Sequence, residues 1–224
     1  MLRQRTLLVG TTNKNKLAEL QCVADEFQIK LSSLTEYQQA HSLPPPPVVE
    51  EDGTTYLDNV RLKAHAYANW AGVPVLADDS GLEVEILDGA PGVASAVYVA
   101  PDASYPARMQ SLVAAIHEAE RRRGIKNRRA RFRCTLLLAE PLLLSALLLS
   151  DEEAGETRET RETLAEGILE GEILDAPQGA KGFGYDPIFY LPELGKTLAE
   201  LDLSHTASIG FRGKAARQLF RSLA

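Results

Sequence analysis

The sequence predicts an α/β fold, because stretches with the apolar pattern of strands alternate with stretches that carry apolar residues at helical spacing. The first strand is "TLLVG", Thr6 to Gly10. The helix after it runs through "NKNKLAELQCVADEF", where Leu17, Leu20 and Val23 fall on one face. A chain of 224 residues, 45% of them apolar, is long enough for one large domain or two small lobes around a cleft.

Later stretches continue the alternation. A helix is predicted between Thr54 or Thr55 as its N-cap and Gly72 as its stop. The segment "VPVLADDSGLEVE" predicts a strand that ends at Asp78, a turn through Ser80 and Gly81, and a second strand. The remaining predicted elements are a helix over 104–123, strands over 134–139, 166–174 and 187–190, and a closing helix over 213–223.

Two segments fall outside this alternation. "SLPPPPVVEEDGTT" predicts a stiff connector, because four consecutive prolines favour an extended polyproline geometry. Residues 141–163 join a Leu-rich stretch, "PLLLSALLLS", to a charged tract that repeats "ETR". We interpret this segment as an inserted hairpin or helix extension, whose apolar half is a candidate contact for a partner or a second copy of the chain.

Charge and cysteine content restrict the class of protein. A formal charge of −7 argues against a broad nucleic-acid surface, and the basic run "RRRGIKNRRARFR" is interpreted as a helix end plus a solvated strand face. The two cysteines, far apart in sequence, indicate free thiols in a reducing cytosol. No apolar run approaches the roughly 20 residues of a membrane span. We therefore expect a cytoplasmic protein with neither a membrane nor a nucleic acid as partner.

The loop "GTTNKNK" joins the first strand to the first helix and is a candidate anion site. Free N–H groups and the positive end of the helix dipole meet at such a point. Thr11 and Asn13 can bond phosphate oxygens, and Lys16 lies one turn into the helix. The glycines of a Walker loop are missing. Simple helix capping by Thr12 or Asn13 explains the same residues equally well.

A second candidate site combines Asp78 and Asp79 with Lys63 and the acidic run Glu50 to Asp52. Clustered carboxylates suit Mg²⁺, a hard cation that is often shared with substrate phosphates. Hydrolysis of a phosphoanhydride needs such a cation and a group that orients water. The alternative is a solvated turn and loop with a surface lysine, because Asp, Ser and Gly are ordinary turn residues.

A third candidate is "GFGYDPIF". Its glycines let the backbone approach a ligand, and Phe183 or Tyr185 can stack on a flat base. A tight turn before a buried edge strand is the alternative explanation.

Together these stretches resemble a known family. "TTNKNK", "EEDGTTYLDNVRLKA", "VLADDSGLEVEILDGAPGVASA", "RARFRCTLLLA", "EGILEGEI" and "GFGYDPIF" occur in the order found in the inosine triphosphate pyrophosphatase (dITP/XTP pyrophosphatase) family. The resemblance implies one elongated two-lobed domain over residues 1–224, with a mixed sheet, a central cleft and 141–163 as an atypical insertion. It also implies a homodimer that uses Mg²⁺ to hydrolyse ITP, dITP or XTP to a monophosphate and pyrophosphate.

Site residues carry over by position. The resemblance implies Asp79 as the general base, with Lys16 and Lys63 facing the phosphates. It implies Glu51, Asp78 and Asp79 as the acids around the metal. The substrate-binding positions that it implies are Thr11, Thr12, Asn13, Lys14, Asn15, Lys16, Ser80, Phe183, Gly184, Tyr185, Asp186 and Arg212.

The chain departs from the family where the base is bound. Thr206 stands at the position of a family lysine, and Gly210 and Phe211 stand where Ser-His precedes Arg212. Phenylalanine neither donates nor accepts a hydrogen bond, and threonine carries no charge. We expect weaker base selectivity. His205, beside the lysine position, is either a substitute or a structural histidine. Val97 replaces a fourth family residue, an arginine.

Two other functions compete with the pyrophosphatase. The first is a nucleotide-binding protein that has lost turnover, favoured by Thr206 and Phe211 and opposed by the retained Lys16, Glu51 and Asp79. The second is a phosphatase with Asp78 as nucleophile, which the missing DxD pattern disfavours. The product separates the three functions: pyrophosphate, no product, or orthophosphate.

Overall fold

A computed structural model describes residues 5–141 and 160–223. The predicted insertion over 141–163 lies mostly outside these ranges, and its two ends belong to strands. The strands are β1 (Arg5–Val9), β2 (Ile29–Ser33), β3 (Val75–Val84), β4 (Pro91–Gly92), β5 (Arg129–Pro141), β6 (Thr160–Ile173), β7 (Phe189–Leu191) and β8 (Lys196–Thr197). The helices are α1 (Lys14–Glu26), α2 (Leu34–His41), α3 (Tyr56–Ala71), α4 (Tyr105–Arg123), α5 (Leu203–Ile209) and α6 (Phe211–Ser222).

The strands form one mixed sheet in the order β2-β1-β3-β5-β6-β7-β8, and β4 pairs with β3 off this path. β1 runs parallel to β2 and β3, whereas the pairs from β3 through β8 are antiparallel. Both faces carry helices, which confirms the predicted α/β class. No helix in the described ranges is both long and apolar enough to cross a bilayer.

The strand at the paired acids differs from the prediction. β3 continues without a turn through Ser80 and Gly81, and its register with β5 runs unbroken from Val75 to Val84. Gly81 is needed for close packing and not for a turn. A Cβ atom there would lie 2.2 Å from the carbonyl oxygen of Gly92. The two predicted strands are therefore one strand, β3, which ends at Val84; a short 3-10 helix, Glu85–Leu87, follows it.

Several boundaries also differ. β5 and β6 pair over thirteen positions, from Arg129↔Glu172 to Pro141↔Thr160. β5 extends beyond both of its predicted ends, whereas β6 begins before its predicted start and ends at Ile173. α6 begins at Phe211, two residues before the predicted start, and β7 is preceded by a 3-10 helix over Asp186–Ile188. The capping residues of α3 are as predicted, with Thr55 at its start and Gly72 at its end. β2, β4, α2, α5 and β8 were not predicted, because short elements have too few residues to show a period.

The core has two parts, one on each face of the sheet. On one face α3 packs Val60, Ala64 and Tyr67 against β3 and β5. On the other face the core includes residues of α1, α4 and α6, among them Leu20, Leu112 and Leu219.

The basic run behaves as the sequence indicated. Its first arginines end α4, and Arg128 pairs with Glu120 and Asp175. Arg131 and Arg133 on β5 both pair with Glu83 of β3. These ion pairs neutralise part of the positive charge of the run within the fold.

An opening in the sheet lies beside the paired acids. β1 pairs with β3 only at Val75 and Leu76, and β4 pairs with β3 only at Leu82 and Glu83. Between them no described strand pairs with this edge of β3. Backbone and side chains around Asp79 and Ser80 therefore border open space at the end of β1.

Candidate active site

A cavity of about 350 Å³ occupies this opening. It brings together residues from the three candidate loops, although these loops lie far apart in sequence. Of the predicted site residues, the cavity is lined by Thr11, Thr12, Asn13, Lys16, Glu51, Lys63, Asp79, Ser80, Phe183, Gly184, Tyr185, Asp186 and Arg212. Lys14, Asn15 and Asp78 do not line it.

The loop before α1 performs the capping function that the sequence left open. The side chain of Asn13 accepts hydrogen bonds from the N–H groups of Asn15 and Lys16. Thr11 Oγ accepts from the Asn13 N–H at 3.2 Å. Capping and ligand binding are compatible here, because Thr11, Thr12 and Lys16 still line the cavity. The helix N-terminus thus points a positive dipole end and a lysine at the opening.

Asp78 is the centre of a buried charge cluster. Its side chain is 1% exposed, with Lys16 Nζ 2.9 Å from Oδ1 and Arg212 Nε 3.0 Å from Oδ2. Burial acts to raise the pKa of Asp78, but Lys16 and Arg212 outweigh it and hold that pKa well below the ordinary range. Asp78 is therefore an ionised link between α1, β3 and α6.

Asp79 lies on the cavity side with one carboxylate oxygen unpaired. Lys63 Nζ is 3.4 Å from Oδ1, while the buried Oδ2 has no hydrogen-bond partner within the described residues. Burial raises the pKa of Asp79; Asp78 and Glu51 add to the rise, and Lys63 and Lys16 oppose it. A buried, unpaired carboxylate oxygen at a cavity is costly unless water or a ligand occupies it.

Lys63 joins Asp79 to the acidic run before α3. Its Nζ is 2.6 Å from Glu51 Oε2. Burial acts to lower the pKa of Lys63, yet Asp79, Asp78 and Glu51 raise it overall, so the lysine stays charged. Glu50 and Asp52 are exposed and outside the cavity lining, which leaves Glu51 as the member of the run that contacts the site.

Arg212 is almost fully buried beneath the cavity. Its guanidinium bonds Asp78, donates to Ser80 Oγ at 3.0 Å, and bonds Glu19 of α1. Burial acts to lower the pKa of Arg212, but Glu19 and Asp78 raise it above its usual value. This side chain organises the floor of the cavity and is 1% exposed.

The "GFGYDPIF" segment forms one wall. Tyr185 donates its hydroxyl to the Ser95 carbonyl at 3.1 Å, which ties the wall to the loop after β4. The Asp186 carboxylate accepts from the Phe183 N–H at 2.8 Å. Burial raises the pKa of Asp186 to about 7.

Several lining residues escaped the sequence analysis. Asn59 accepts from the Gly53 N–H at 2.8 Å and so fixes the loop that carries Glu51. Ser95 Oγ bonds both β3 and Gly92. Glu19, Tyr105 and Phe132 also line the cavity. In the sequence, these residues fit the ordinary amphipathic pattern of helices and strands and do not stand out as site residues. Only Glu19 offered a signal, because its helical spacing from Lys16 places the two side chains on the same face of α1.

A wider groove of about 1000 Å³ lies elsewhere, along β5, β6 and the end of β7. It contains none of the candidate residues. Its charged side chains, including Glu83, Arg131 and Glu170, are of mixed sign, so it lacks the concentrated cationic character that phosphates require.

Comparison with known proteins decides the family. The model of the Ham1 family matches residues 7–222. The chain belongs to the Ham1 family. Several curated relatives are named dITP/XTP pyrophosphatase. The one from an Exiguobacterium species is 41% identical to this chain, over 95% of this chain and 94% of the relative. The relative from Geobacter sulfurreducens is 40% identical, over 93% of this chain and 92% of the relative. The relative from Thermus thermophilus is 39% identical, over 99% of this chain and 93% of the relative.

Solved Ham1 structures share the architecture. A HAM1 protein from Coxiella burnetii aligns with a TM-score of 0.78 at 34% identity, covering 98% of both chains. The Staphylococcus aureus Ham1 protein aligns at 0.75 with 30% identity and the same coverage. These matches confirm the resemblance and the mixed-sheet fold predicted from the sequence.

The Ham1 chain differs from the family pattern inside the cavity itself. Thr206 and Phe211 both line it. His205 does not: it is exposed, and its N–H caps α5 through Asp202. Of the two alternatives for His205, its position therefore favours a structural histidine over a substitute for the missing lysine.

Proposed function

We propose that this Ham1 chain hydrolyses non-standard purine nucleoside triphosphates, such as ITP, dITP and XTP, to the monophosphate and pyrophosphate. Such an activity would remove damaged nucleotides from the cellular pool. The observation that carries the proposal is Asp79, which lines a cavity shared with Lys63, Lys16 and the N-terminus of α1 and keeps one buried carboxylate oxygen unpaired within the described residues. The names of the curated relatives support the same activity.

The residues divide by role. The loop from Thr11 to Lys16 and the Lys63 ammonium hold the triphosphate, because they present N–H groups and positive charge to one space. Asp79 orients and deprotonates the attacking water. The wall from Phe183 to Asp186, with Ser80 and Arg212 beneath, surrounds the nucleoside. Asp78 keeps Lys16 and Arg212 in place.

The donor set fits Mg²⁺. Asp79 and Glu51 offer carboxylate oxygens, which are hard ligands, and both contact the same Lys63 ammonium and so lie near each other. Asp78 suits this role less, since Lys16 and Arg212 engage it. Within the described ranges no group of three or more His, Cys, Asp or Glu side chains could form a metal site. We propose two protein carboxylates, with phosphate and water as further ligands; bound Mg²⁺ would neutralise phosphate charge.

The remaining parts of the proposal concern assembly and location. We propose that residues 1–224 form one two-lobed domain, which works as a homodimer in the cytoplasm and acts on free nucleotides and not on nucleic acid. The net charge of −7 supports the last point, since a nucleic-acid surface needs an excess of Lys and Arg.

Product analysis tests the function. ITP is incubated with the protein and Mg²⁺ in ¹⁸O-labelled water, and the products are identified by ³¹P NMR and mass spectrometry. We expect IMP and pyrophosphate, and no turnover in EDTA until excess Mg²⁺ is restored. Orthophosphate as the first product would indicate a phosphatase and contradict the proposed pyrophosphatase. Tight ITP binding without any product would indicate a nucleotide-binding protein.

A further inference from the structure

A proline-rich stretch leads from α2 to α3 and brings Glu51 to the cavity. Residues 43–53 form neither helix nor strand, and residues 44–47 are all prolines. A proline has no backbone N–H to donate, and its ring fixes φ at about −65°. A residue that precedes a proline is also restricted to extended backbone. We call residues 44–53 the connector; its first half is stiff although no helix or sheet contains it.

Two side chains of α3 hold the ends of the connector. Trp70 Nε1 donates to the Pro44 carbonyl at 3.0 Å. At the other end the Gly53 N–H donates to Asn59 Oδ1 at 2.8 Å. Between these anchors Val49 packs against the part of the core that α3 covers. The connector is therefore attached to α3 at both ends and in its middle.

The anchors lie along one face of α3. Asn59, Lys63 and Trp70 are separated by four and then seven residues, which places their side chains within about 40° of each other around the helix axis. The connector meets them in reverse order and so runs antiparallel to α3. Glu51 contacts Lys63 at 2.6 Å, between the two anchors.

The carboxylate of Glu51 has little else to hold it. Its side chain is 44% exposed, and Lys63 is its one ion-pair partner among the described residues. Lys63 also lies 3.4 Å from Asp79, and in the proposed function its ammonium turns to the triphosphate. Once phosphate and a cation compete for these groups, the ion pair no longer fixes Glu51, and the course of the backbone has to. A group held in its bound position binds more tightly, because less freedom is lost on binding.

We propose that the connector is a rigid support that holds Glu51 in place for Mg²⁺, and that Trp70 is a positioning residue that acts through Pro44. Trp70 is not among the residues that line the cavity, so it has no direct contact with substrate. Its indole fixes where the stiff half begins, and Asn59 fixes where the connector ends. The inference rests on the proposed function, because it assigns Glu51 to the cation of that reaction.

Amide hydrogen exchange measures the support without any ligand. Trp70→Phe keeps an aromatic ring and removes the N–H donor. We expect the backbone amides of residues 48–53 to exchange about two- to tenfold faster, the factor for one lost hydrogen bond. Tyr37→Phe is the matched control, because it removes a polar atom from the ring that packs against Trp70 and leaves the bonds of the connector in place. Unchanged exchange in Trp70→Phe would overturn the inference.

The Mg²⁺ dependence of ITP hydrolysis connects the support to Glu51. We expect Trp70→Phe to raise the Mg²⁺ concentration for half-maximal turnover about two- to tenfold, with a smaller change in kcat at saturating Mg²⁺. The same substitution in a Glu51→Gln background should have no such effect, because the carboxylate that Trp70 positions is then absent. An equal effect in both backgrounds, or no effect in either, would show that Trp70 does not act through Glu51.

The design separates this inference from the function beneath it. If the native chain hydrolyses no nucleoside triphosphate, the proposed function fails, and Mn²⁺ binding measured by electron paramagnetic resonance takes the place of turnover. Weaker Mn²⁺ binding by Trp70→Phe than by the native chain would then support the inference, and equal binding would overturn it. Should Trp70→Phe not fold, Pro45→Gly loosens an exposed part of the connector and is judged by the same measurements.

Discussion

Asp78 and Asp79 are neighbours in sequence but extend from opposite faces of β3. Asp78 contacts Lys16 of α1 and Arg212 of α6, whereas Asp79 contacts Lys63 of α3. The separation follows from the alternation of side chains along a continuous strand. One carboxylate thereby holds the fold together, and the other faces the cavity. We therefore expect that substitution of Asp79 lowers turnover, whereas substitution of Asp78 lowers the stability of the fold.

Asp79→Asn should abolish most turnover with little loss of stability. The amide cannot accept a proton from water, and loss of a positioned base costs about 10²–10⁴ in kcat. Pyrophosphate release from ITP measures the effect, with Glu50→Gln as the control, since Glu50 is exposed and outside the cavity lining. An Asp79→Asn protein that keeps a tenth of the native kcat would rule out this role.

Asp78→Asn should instead destabilise the fold. The substitution leaves Lys16 and Arg212 without their shared anion in a buried site, which costs about 3–5 kcal/mol in the free energy of unfolding. Urea denaturation measures it. Glu118→Gln is the control, because it breaks the exposed pair with Arg121 and should cost less than about 1 kcal/mol. Similar losses for both variants would contradict the assignment.

Asp186 should make stability fall as the pH rises. Burial raises its pKa from 3.8 to about 7, so between these values the folded state binds the proton and the unfolded state does not. This contribution is present at low pH and is lost as the pH passes 7. From pH 5 to pH 8 the native chain should lose about 2–3 kcal/mol more unfolding free energy than Asp186→Asn. Parallel pH curves for the two proteins would refute it.

Arg108 should affect substrate affinity without contacting substrate. Its guanidinium donates to the carbonyls of Tyr98, Ala100 and Pro101, and so clasps the loop that follows Val97 in the cavity wall. Lysine cannot make this fork of bonds. We expect Arg108→Lys to raise KM for ITP several-fold with a smaller change in kcat.

The clasp also maintains an unfavourable backbone. Val99 has a φ of 77°, a conformation that β-branched residues rarely adopt. Arg122→Ala on the same helix is the matched control, since Arg122 is exposed and makes no ion pair in the described ranges. If Arg108→Lys and Arg122→Ala leave KM equally unaffected, the loop is held by other contacts.

Gly167 should be intolerant of any side chain. A Cβ atom on this β6 residue would lie 1.9 Å from the Phe211 carbonyl oxygen and 2.7 Å from the Ala215 nitrogen. Gly167→Ala must push α6, which carries Arg212, away from the sheet, at a cost of about 3 kcal/mol or more. Gly72→Ala is the comparison: its φ is +68° but no atom lies within 4 Å, so about 1 kcal/mol is expected. Thermal unfolding measures the stability of both variants, and we expect Gly167→Ala to lose more than Gly72→Ala.

The extent of sequence-based prediction differs from element to element. α1, α3 and α4 carry clear apolar periods and capping residues, so their positions followed from local chemistry. The turn at Ser80 and Gly81 was wrong, because Asp, Ser and Gly favour turns locally while pairing with β5 and packing against β4 favour an extended strand. Tertiary contacts outweighed the local preference there.

The sequence by itself determined the α/β class, the three candidate loops and the family, because these depend on residue types in a fixed order. Only the tertiary structure decided that Asp79 faces the cavity while Asp78 is buried with Arg212, a residue 134 positions away. Likewise, only the fold placed Phe132 against Phe211. Which charges pair and which oxygen remains unpaired depends on contacts between distant segments, and no local pattern encodes those contacts.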